Sequence, residues 1–414
     1  MKWFCPIWRV WVAFAIIAGL MGGFAPRAAA QSLLAGESGG PALLGTDLAV
    51  FESREIRKDL PCEVVSNKAQ LGFDLKFHSG FEVSVPLRDL AGDSNLLTIL
   101  FRVERQDTKA TEPIFFIQKI NVPKIEENAR GEAYLQGSFD LGEGKYHVDW
   151  LMRDRSERVC ANNWDLDANL TAKDRALVLH IHAGAIQPTD QEPFTDDPPV
   201  QRLNTEPMNV KVLINFAPQN AHASSLQPID TTALVSILRC ISREPRLTRF
   251  TVVAFNLQEQ KVLYRQEEAD RIDFPAIGKA LEGVQLGRVN ISKLSNKNSE
   301  TEFLSKLIRD ELSRPNEHPD ALIFAGPKVM LDQPVPQDTL RSVGELEYPV
   351  FYMNYNLYPQ QTPWRDSISS AVKFFKGTEY TISRPRDLWF AVTEMVQKIV
   401  KSRSGRRLQP VGLN

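Results

Sequence analysis

Residues 184–208 (GAIQPTDQEPFTDDPPVQRLNTEPM) divide this chain in two. They hold five prolines and an acidic cluster. Proline fixes φ and lacks a backbone donor, so such a stretch builds neither a ladder nor a helix of its own. It reads as an extended linker between folding units. The hydrophobic rhythm differs on its two sides, and that difference sets the expected fold class.

Before the linker, residues 61–183 alternate. Leu71–Phe77, Phe81–Leu87, Leu97–Val103 and Pro113–Val122 each have period two. In Gly144–Asp154 the pattern puts Tyr146, Val148, Trp150 and Met152 on one face. A half-buried strand requires that spacing. Turn residues separate the runs at His78–Gly80, Gly92–Asn95 and Gly142–Gly144. Six to eight short strands with no helical pattern between them predict an all-β sandwich. Residues 31–60, Gly- and Ser-rich and then charged, read as an irregular lead.

After the linker, from 209 to 403, the texture changes. Val210–Phe216 and Phe250–Phe255 are almost purely apolar, the mark of strands buried on both faces. A Gln258–Gln260 turn leads into Val262–Tyr264, giving a hairpin. Ala321–Phe324 and Val350–Met353 are further buried strands. Helical periodicity fits 229–242, 273–283, 299–313, 365–375 and 385–402, and 404–414 reads as a tail. Strands alternating with helices predict a doubly wound, mostly parallel α/β sheet. The fold class expected is therefore multi-domain, all-β first and α/β second.

The first 30 residues have the layout of an export signal. Lys2 and Arg9 precede an uncharged run, Val10–Met21, and Ala28-Ala29-Ala30 supplies the small-x-small cleavage pattern. The run has twelve residues, short of the roughly 20 that span a bilayer. The reading is a cleaved signal, a mature chain from Gln31, and a periplasmic or extracellular location. An uncleaved anchor is the alternative. No later stretch is apolar enough to span.

Lys2, Arg9 and Arg27 are the only charges in that leader, so the mature chain carries 46 basic and 51 acidic residues. Weak acidity argues against nucleic acid or an anionic membrane as partner. The basic cluster from Lys401 to Arg407 is read as a solvated tail. Three cysteines remain. Cys240 falls in an apolar helical pattern with Leu234, Ile237, Leu238 and Ile241, as a buried hydrophobe would. Cys62 and Cys160 are then the candidate disulfide pair of an oxidising compartment. No Cys-x-x-Cys occurs, so thiol redox catalysis and structural zinc lack their usual spacing.

In a doubly wound sheet, sites lie beyond the carboxyl ends of the strands. Asn215-Phe-Ala217-Pro-Gln219 follows the first strand there, and Ala325-Gly326-Pro327-Lys328 follows the fourth. With the strand, helix and hairpin order, this region resembles the von Willebrand factor type A domain. It is most similar to acidobacterial-type A-domain-related exported proteins, where a small β domain precedes the A-like one. The resemblance implies protein binding. Metal-binding A domains carry Asp-x-Ser-x-Ser and Thr-Asp-Gly at these places, with a Thr in a Gly-rich loop. Here stand Asn215, Ala217 and Gln219, then Ala325-Gly326-Pro327, with Val289 or Asn290 as the nearest third position. Divalent cations need hard oxygen ligands, including carboxylate. The expectation is an A-like domain with a degenerate metal-ion-dependent adhesion site, no metal and no cofactor. Asp230 reads as a helix cap and Asp320 as preceding its strand.

Other constellations carry less. His180 and His182 would share one side of a strand, without a third ligand. Ser224-Ser225 follows His222 but lacks the Gly-x-Ser-x-Gly elbow, and no phosphate loop occurs. The loop leaving the last buried strand is aromatic. Tyr355, Tyr358 and Trp364 combine apolar area with a polar tip, the usual chemistry of contact surfaces. The bland alternative is that these rings cover their own domain. Asn215, Ala217, Gln219, Ala325, Lys328, Tyr355, Tyr358 and Trp364 form the candidate binding set. The expected function is an exported, non-catalytic, adhesion- or scaffold-type protein that binds another protein. An envelope hydrolase with an unrecognised active site is the alternative.

Overall fold

The structure is a computed structural model. It describes residues 32–34, 43–92, 94–106, 113–189, 192–203, 206–220, 223, 225–284, 298–314, 317–358, 360, 363 and 365–407. The expected signal peptide, His222, Ser224, Val289, Asn290 and Trp364 lie outside the described residues.

The chain is β-rich, with two antiparallel sheets, one mixed sheet and seven helices among the described residues. The first sheet has six strands. They are β1 (Ser32–Leu34), β2 (Arg57–Lys58), β5 (Asn95–Arg105), β6 (Ile114–Val122), β8 (Gly144–Arg153) and β9 (Val159–Ala168), in the order β1-β6-β5-β8-β9-β2. The second has four: β3 (Glu63–Leu71), β4 (Phe77–Pro86), β7 (Glu132–Leu141) and β10 (Ile186–Pro188), ordered β10-β7-β4-β3. Both contribute to one core that includes Phe81, Phe101, Phe116, Phe139 and Trp150. Phe81 sits 5.3 Å from Trp150 and 5.5 Å from Phe101, centroid to centroid. The predicted inward set Tyr146, Val148, Trp150 and Met152 is buried. Cys62 is bonded to Cys160, with Cα atoms 6.3 Å apart, tying the start of β3 to β9.

The irregular lead expected over 31–60 is corrected. β1 pairs with β6, and α1 (Gly45–Ser53) lies on the outer face of the six-stranded sheet. There Val50 and Phe51 cover Leu100, Ile117, Leu151 and Val159. Beneath Phe51, Arg102 is buried with Asp149, Nη2 to Oδ2 2.9 Å.

The third sheet holds β11 (Asn209–Asn215), β12 (Arg249–Asn256), β13 (Lys261–Ala269), β14 (Ala321–Pro327), β15 (Val350–Tyr355) and β16 (Thr378–Ile382). Its order is β13-β12-β11-β14-β15-β16, parallel except for the β12–β13 hairpin. The chain passes from β11 outward to β12 and later returns to β14, so the order reverses between β11 and β14. On one face α2 (Pro228–Arg243), α3 (Phe274–Leu281) and α7 (Pro385–Arg407) share a core with the sheet. On the other face lie α4 (Ser299–Leu312), α5 (Gln337–Ser342) and α6 (Ser367–Phe374). The tail expected from 404 begins later, because α7 runs through Arg407. No described helix is long and apolar enough to cross a membrane.

Residues 184–208 are not a free linker. Ile186–Pro188 joins the four-stranded sheet beside β7. Beyond it the chain is strapped along α2. Arg239 donates to the Thr195 carbonyl at 2.9 Å, and Arg243 meets both Asp197 oxygens at 3.2 and 2.7 Å. Arg202 donates to the carbonyls of Ser242 and Glu244 at 2.8 and 3.0 Å. Proline excludes regular ladders but not packing, and the arginines of α2 supply the hydrogen bonds that the segment cannot make with itself.

Candidate functional site

The reversal of strand order places the carboxyl ends of β11 and β14 side by side, where open α/β sheets bind ligands. Asn215 ends β11. Its Oδ1 accepts from the Leu257 N–H at 3.1 Å, which fixes the amide's orientation. Gly326 on β14 lies against it with φ +146. A Cβ at that glycine would stand 2.9 Å from the Asn215 Cβ, so only glycine lets the two strands approach.

Gln219 closes the edge. Its Oε1 accepts from the N–H groups of Leu357 and Tyr358, at 2.7 and 3.2 Å. Its Nε2 donates to the Tyr358 carbonyl at 2.8 Å and to Asn356 Oδ1 at 3.2 Å. One buried amide thus ties the loop after β11 to the loop after β15. Asp230, at the third position of α2, braces the same point. Its Oδ1 accepts from the Gln219 N–H at 3.2 Å, and its Oδ2 from the Gln227 N–H at 3.3 Å. That capping box agrees with the expected cap. The Tyr355 hydroxyl lies 3.0 Å from Asp230 Oδ1 and 2.9 Å from the Ala217 carbonyl. Burial, then the Asp230 charge, pushes that phenol's pKa well up, so it stays a donor.

The eight candidate residues therefore separate. Asn215, Ala217, Gln219, Ala325 and Tyr355 are all 5% exposed or less and build the edge from inside. They offer no side-chain surface to a partner, which corrects their placement in the binding set. Tyr355 is a core ring, as the bland alternative held. Lys328 is half-buried, 3.3 Å from Glu379. Tyr358 is 41% exposed and presents its ring at the edge. Chemically the edge offers neutral amides, backbone groups, the committed Asp230 carboxylate and the Lys328–Glu379 ion pair. Asp366, which caps α6 beside it, is buried, and burial pushes its carboxyl up to about 6.

Three charged clusters escaped the sequence reading. In the first, His78 donates from both ring nitrogens, 2.8 Å to Asp140 and 2.8 Å to Asp74. Burial disfavours the charged ring, but hydrogen bonds and charges from Asp140 and Asp74 outweigh it and raise the pKa to about 10. Lys76 lies 3.3 Å from Asp140, and the Thr189 hydroxyl donates to Asp140 at 2.7 Å. The carboxylates and imidazole are close enough to hold a cation. Both ring nitrogens and Asp140 are already engaged, so the set reads as two cations balancing two anions. The second cluster lies at the amino edge of the mixed sheet. Lys211 is buried within β11, with Nζ 2.9 Å from Glu311 and bonded to Glu317. Arg265 also pairs with Glu311. Burial raises the Glu311 pKa, but Arg265 and Lys211 outweigh that and hold it below the usual range. The third joins the two halves of the chain. His180 is not on a strand; its Nδ1 lies 2.8 Å from Arg243. Cys240 is partly buried, and burial pushes its thiol up to about 12.

No protein-family model matches this chain, and no curated protein is similar to it in sequence. Among solved structures it is similar to the PilB minor pilin of Streptococcus sanguinis, at 8% identity over 75% of this chain and 89% of that one, with a TM-score of 0.29. It is similar to a β-glucosidase of Listeria innocua at 10% identity over 27% of this chain, with a TM-score of 0.17, and spans 16% of that enzyme. A structural-genomics target, SoR45, is 13% identical over 32% of this chain and 99% of its own, with a TM-score of 0.17. TM-scores this low carry no inference about the present chain.

Proposed function

We propose that this chain is an exported, non-catalytic protein-interaction protein. Its β domain is a sandwich, its α/β domain is von Willebrand factor A-like, and the carboxyl edge of that domain binds protein without a metal ion. The observation that carries the reading is Gln219. Its amide satisfies both crossing loops with neutral hydrogen bonds, where a cation site would need free carboxylates. Affinity at such an edge comes from aromatic area, and Tyr358 supplies it. Rings of this kind dominate the energetics of many interfaces.

The test is capture of envelope or exported proteins of the native host by the purified chain, in chelator and in millimolar Mg²⁺. The same partner should be retained in both. Tyr358→Ala should weaken its capture about tenfold, roughly 1.4 kcal/mol, with the melting temperature unchanged. Retention only with cation, or steady turnover of a generic ester or peptide panel, would overturn the reading.

A further inference from the structure

Asn215, Gly326 and Asn354 stand in one row across β11, β14 and β15. Period two puts them on the face of Leu213, Phe324 and Tyr352, which α4, α5 and α6 cover. Each asparagine has one end of its amide committed outward. Asn215 Oδ1 is held on the β12 side by the Leu257 N–H, at 3.1 Å. Asn354 Nδ2 is held on the β16 side, where it donates to Glu379 Oε1 at 3.0 Å and to the Tyr380 carbonyl at 3.1 Å. The planar amides therefore turn Asn215 Nδ2 and Asn354 Oδ1 toward each other across Gly326, which has no side chain to come between them. Both atoms are buried, and neither has a hydrogen-bond partner among the described residues. Asp366 adds a third such atom. Its Oδ1 accepts from the N–H groups of Val329 and Ile368 at 3.3 and 3.0 Å. The adjacent Tyr352 hydroxyl donates instead to the carbonyl of Pro327, the residue after Gly326, at 2.9 Å. Asp366 Oδ2 is left buried without a partner. Buried polar atoms are almost always paired, and these three gather where open α/β sheets bind ligands.

We propose that this spot binds a small molecule bearing a primary carboxamide. The count of donors and acceptors selects that group. The protein offers one N–H group and two oxygens; a primary carboxamide brings one oxygen and two N–H donors. A carboxylate would set its oxygens against those of Asn354 and Asp366. An ammonium or metal cation would face the Asn215 N–H and leave it unpaired. Width agrees. Two strand spacings separate the asparagine backbones by about 9.6 Å, and the inward-turned amides shorten the distance between the free atoms to roughly 7 Å. An amide with a hydrogen bond on each side spans up to about 8 Å, whereas one bridging atom reaches only about 6 Å. Burial selects size. Asn215 and Asn354 are wholly buried, so the occupant is a free small amide rather than a side chain on a protein surface. The way in passes the Lys328–Glu379 pair, whose side chains are 24% and 20% exposed. The site does not draw on the Tyr358 ring or on a protein partner.

The experiment titrates the 15N-labelled full chain with acetamide, N-methylacetamide and acetate, followed at the side-chain amide resonances of Asn215 and Asn354. Acetamide should give saturable shifts at both. N-methylacetamide, which has lost one donor, should bind at least about fivefold more weakly, and acetate should give no saturable shift. Asp366→Asn keeps the α6 cap, since asparagine caps as well as aspartate, but it puts a donor where an acceptor stood. It should lose about tenfold for acetamide at an unchanged melting temperature. Tyr358→Ala should leave the titration intact, so failure of protein capture and failure of this site are separate results. No saturable shift with acetamide would mean that the three atoms hold only ordered water, and would overturn the proposal. So would equal affinity for acetamide and N-methylacetamide, or an Asp366→Asn variant that binds like the parent.

Discussion

Replacing Gln219 by alanine removes four side-chain hydrogen bonds in one step. Each neutral bond contributes about 0.5–1.5 kcal/mol net. Tyr358 is partly solvated, so water takes over some of the freed groups, and the expected loss is about 2–3 kcal/mol. For a domain of about 200 residues that lowers the melting temperature by roughly 4–10 °C. The local consequence is sharper. The amides of Leu357 and Tyr358 both donate to Gln219 Oε1. Their hydrogen exchange should accelerate about 30–150-fold, while amides inside β11 and β14 slow or quicken only with global stability. Gln219→Glu is the discriminating control. It keeps the acceptor oxygen that both amides use and loses the two N–H donations, so Leu357 and Tyr358 should stay better protected than in Gln219→Ala. Wild-type exchange at both amides in Gln219→Ala would show that something other than this side chain holds the loop.

The remaining predictions concern two of the three charged clusters. His78 has a raised folded-state pKa, so its contribution is complete below the unfolded value of about 6.5 and fades as pH rises through about 10. The stability difference between the parent and His78→Gln in urea titrations should therefore shrink steadily from pH 6.5 to 10, and a difference constant over that window would refute the assignment. Asp74 acts in the opposite sense. Burial raises its pKa, His78 outweighs that and lowers it, and its contribution is present above about pH 4 and lost in acid. Lys211→Met should cost about 3–5 kcal/mol in denaturant unfolding, because it leaves Glu311 and Glu317 short of a buried counter-charge. Lys211→Met with Glu311→Gln should recover part of that loss, and a single variant as stable as the parent would show the network to be dispensable.

The strands were legible where one physical rule dominates. Tyr146, Val148, Trp150 and Met152 alternate because one face of β8 meets the core, and β11 and β12 read as continuous apolar runs because helices cover both faces. Rules in competition hid the rest. α1 buries Val50 and Phe51 but also Asp47, which pairs with Arg153 at 3.1 Å, so its apolar stripe is too short to show a helical period. β16 is Thr-Glu-Tyr-Thr-Ile, polar because it is an edge strand. Lys211 sits inside a run read as apolar, since sequence alone does not show that Glu311 and Glu317 meet it from about 100 residues away. The same limit applies at the candidate site. Asn215 and Gln219 stood out by position, but the role of Gln219 depends on backbone groups 138 and 139 residues further on.

The chemistry of the proposed binding edge sets how it should respond to salt. The carboxyl edge of the mixed sheet is closed by amides, and its carboxylates are committed: Asp230 to Gln219, Gln227 and Tyr355, and Glu379 to Lys328. Binding there draws on the Tyr358 ring and should change little with ionic strength. The strap along α2 is ionic instead: Asp197 meets Arg239 and Arg243, with Nε and Nη2 at 3.3 and 2.7 Å, so salt acts there before it acts on the amide-closed edge.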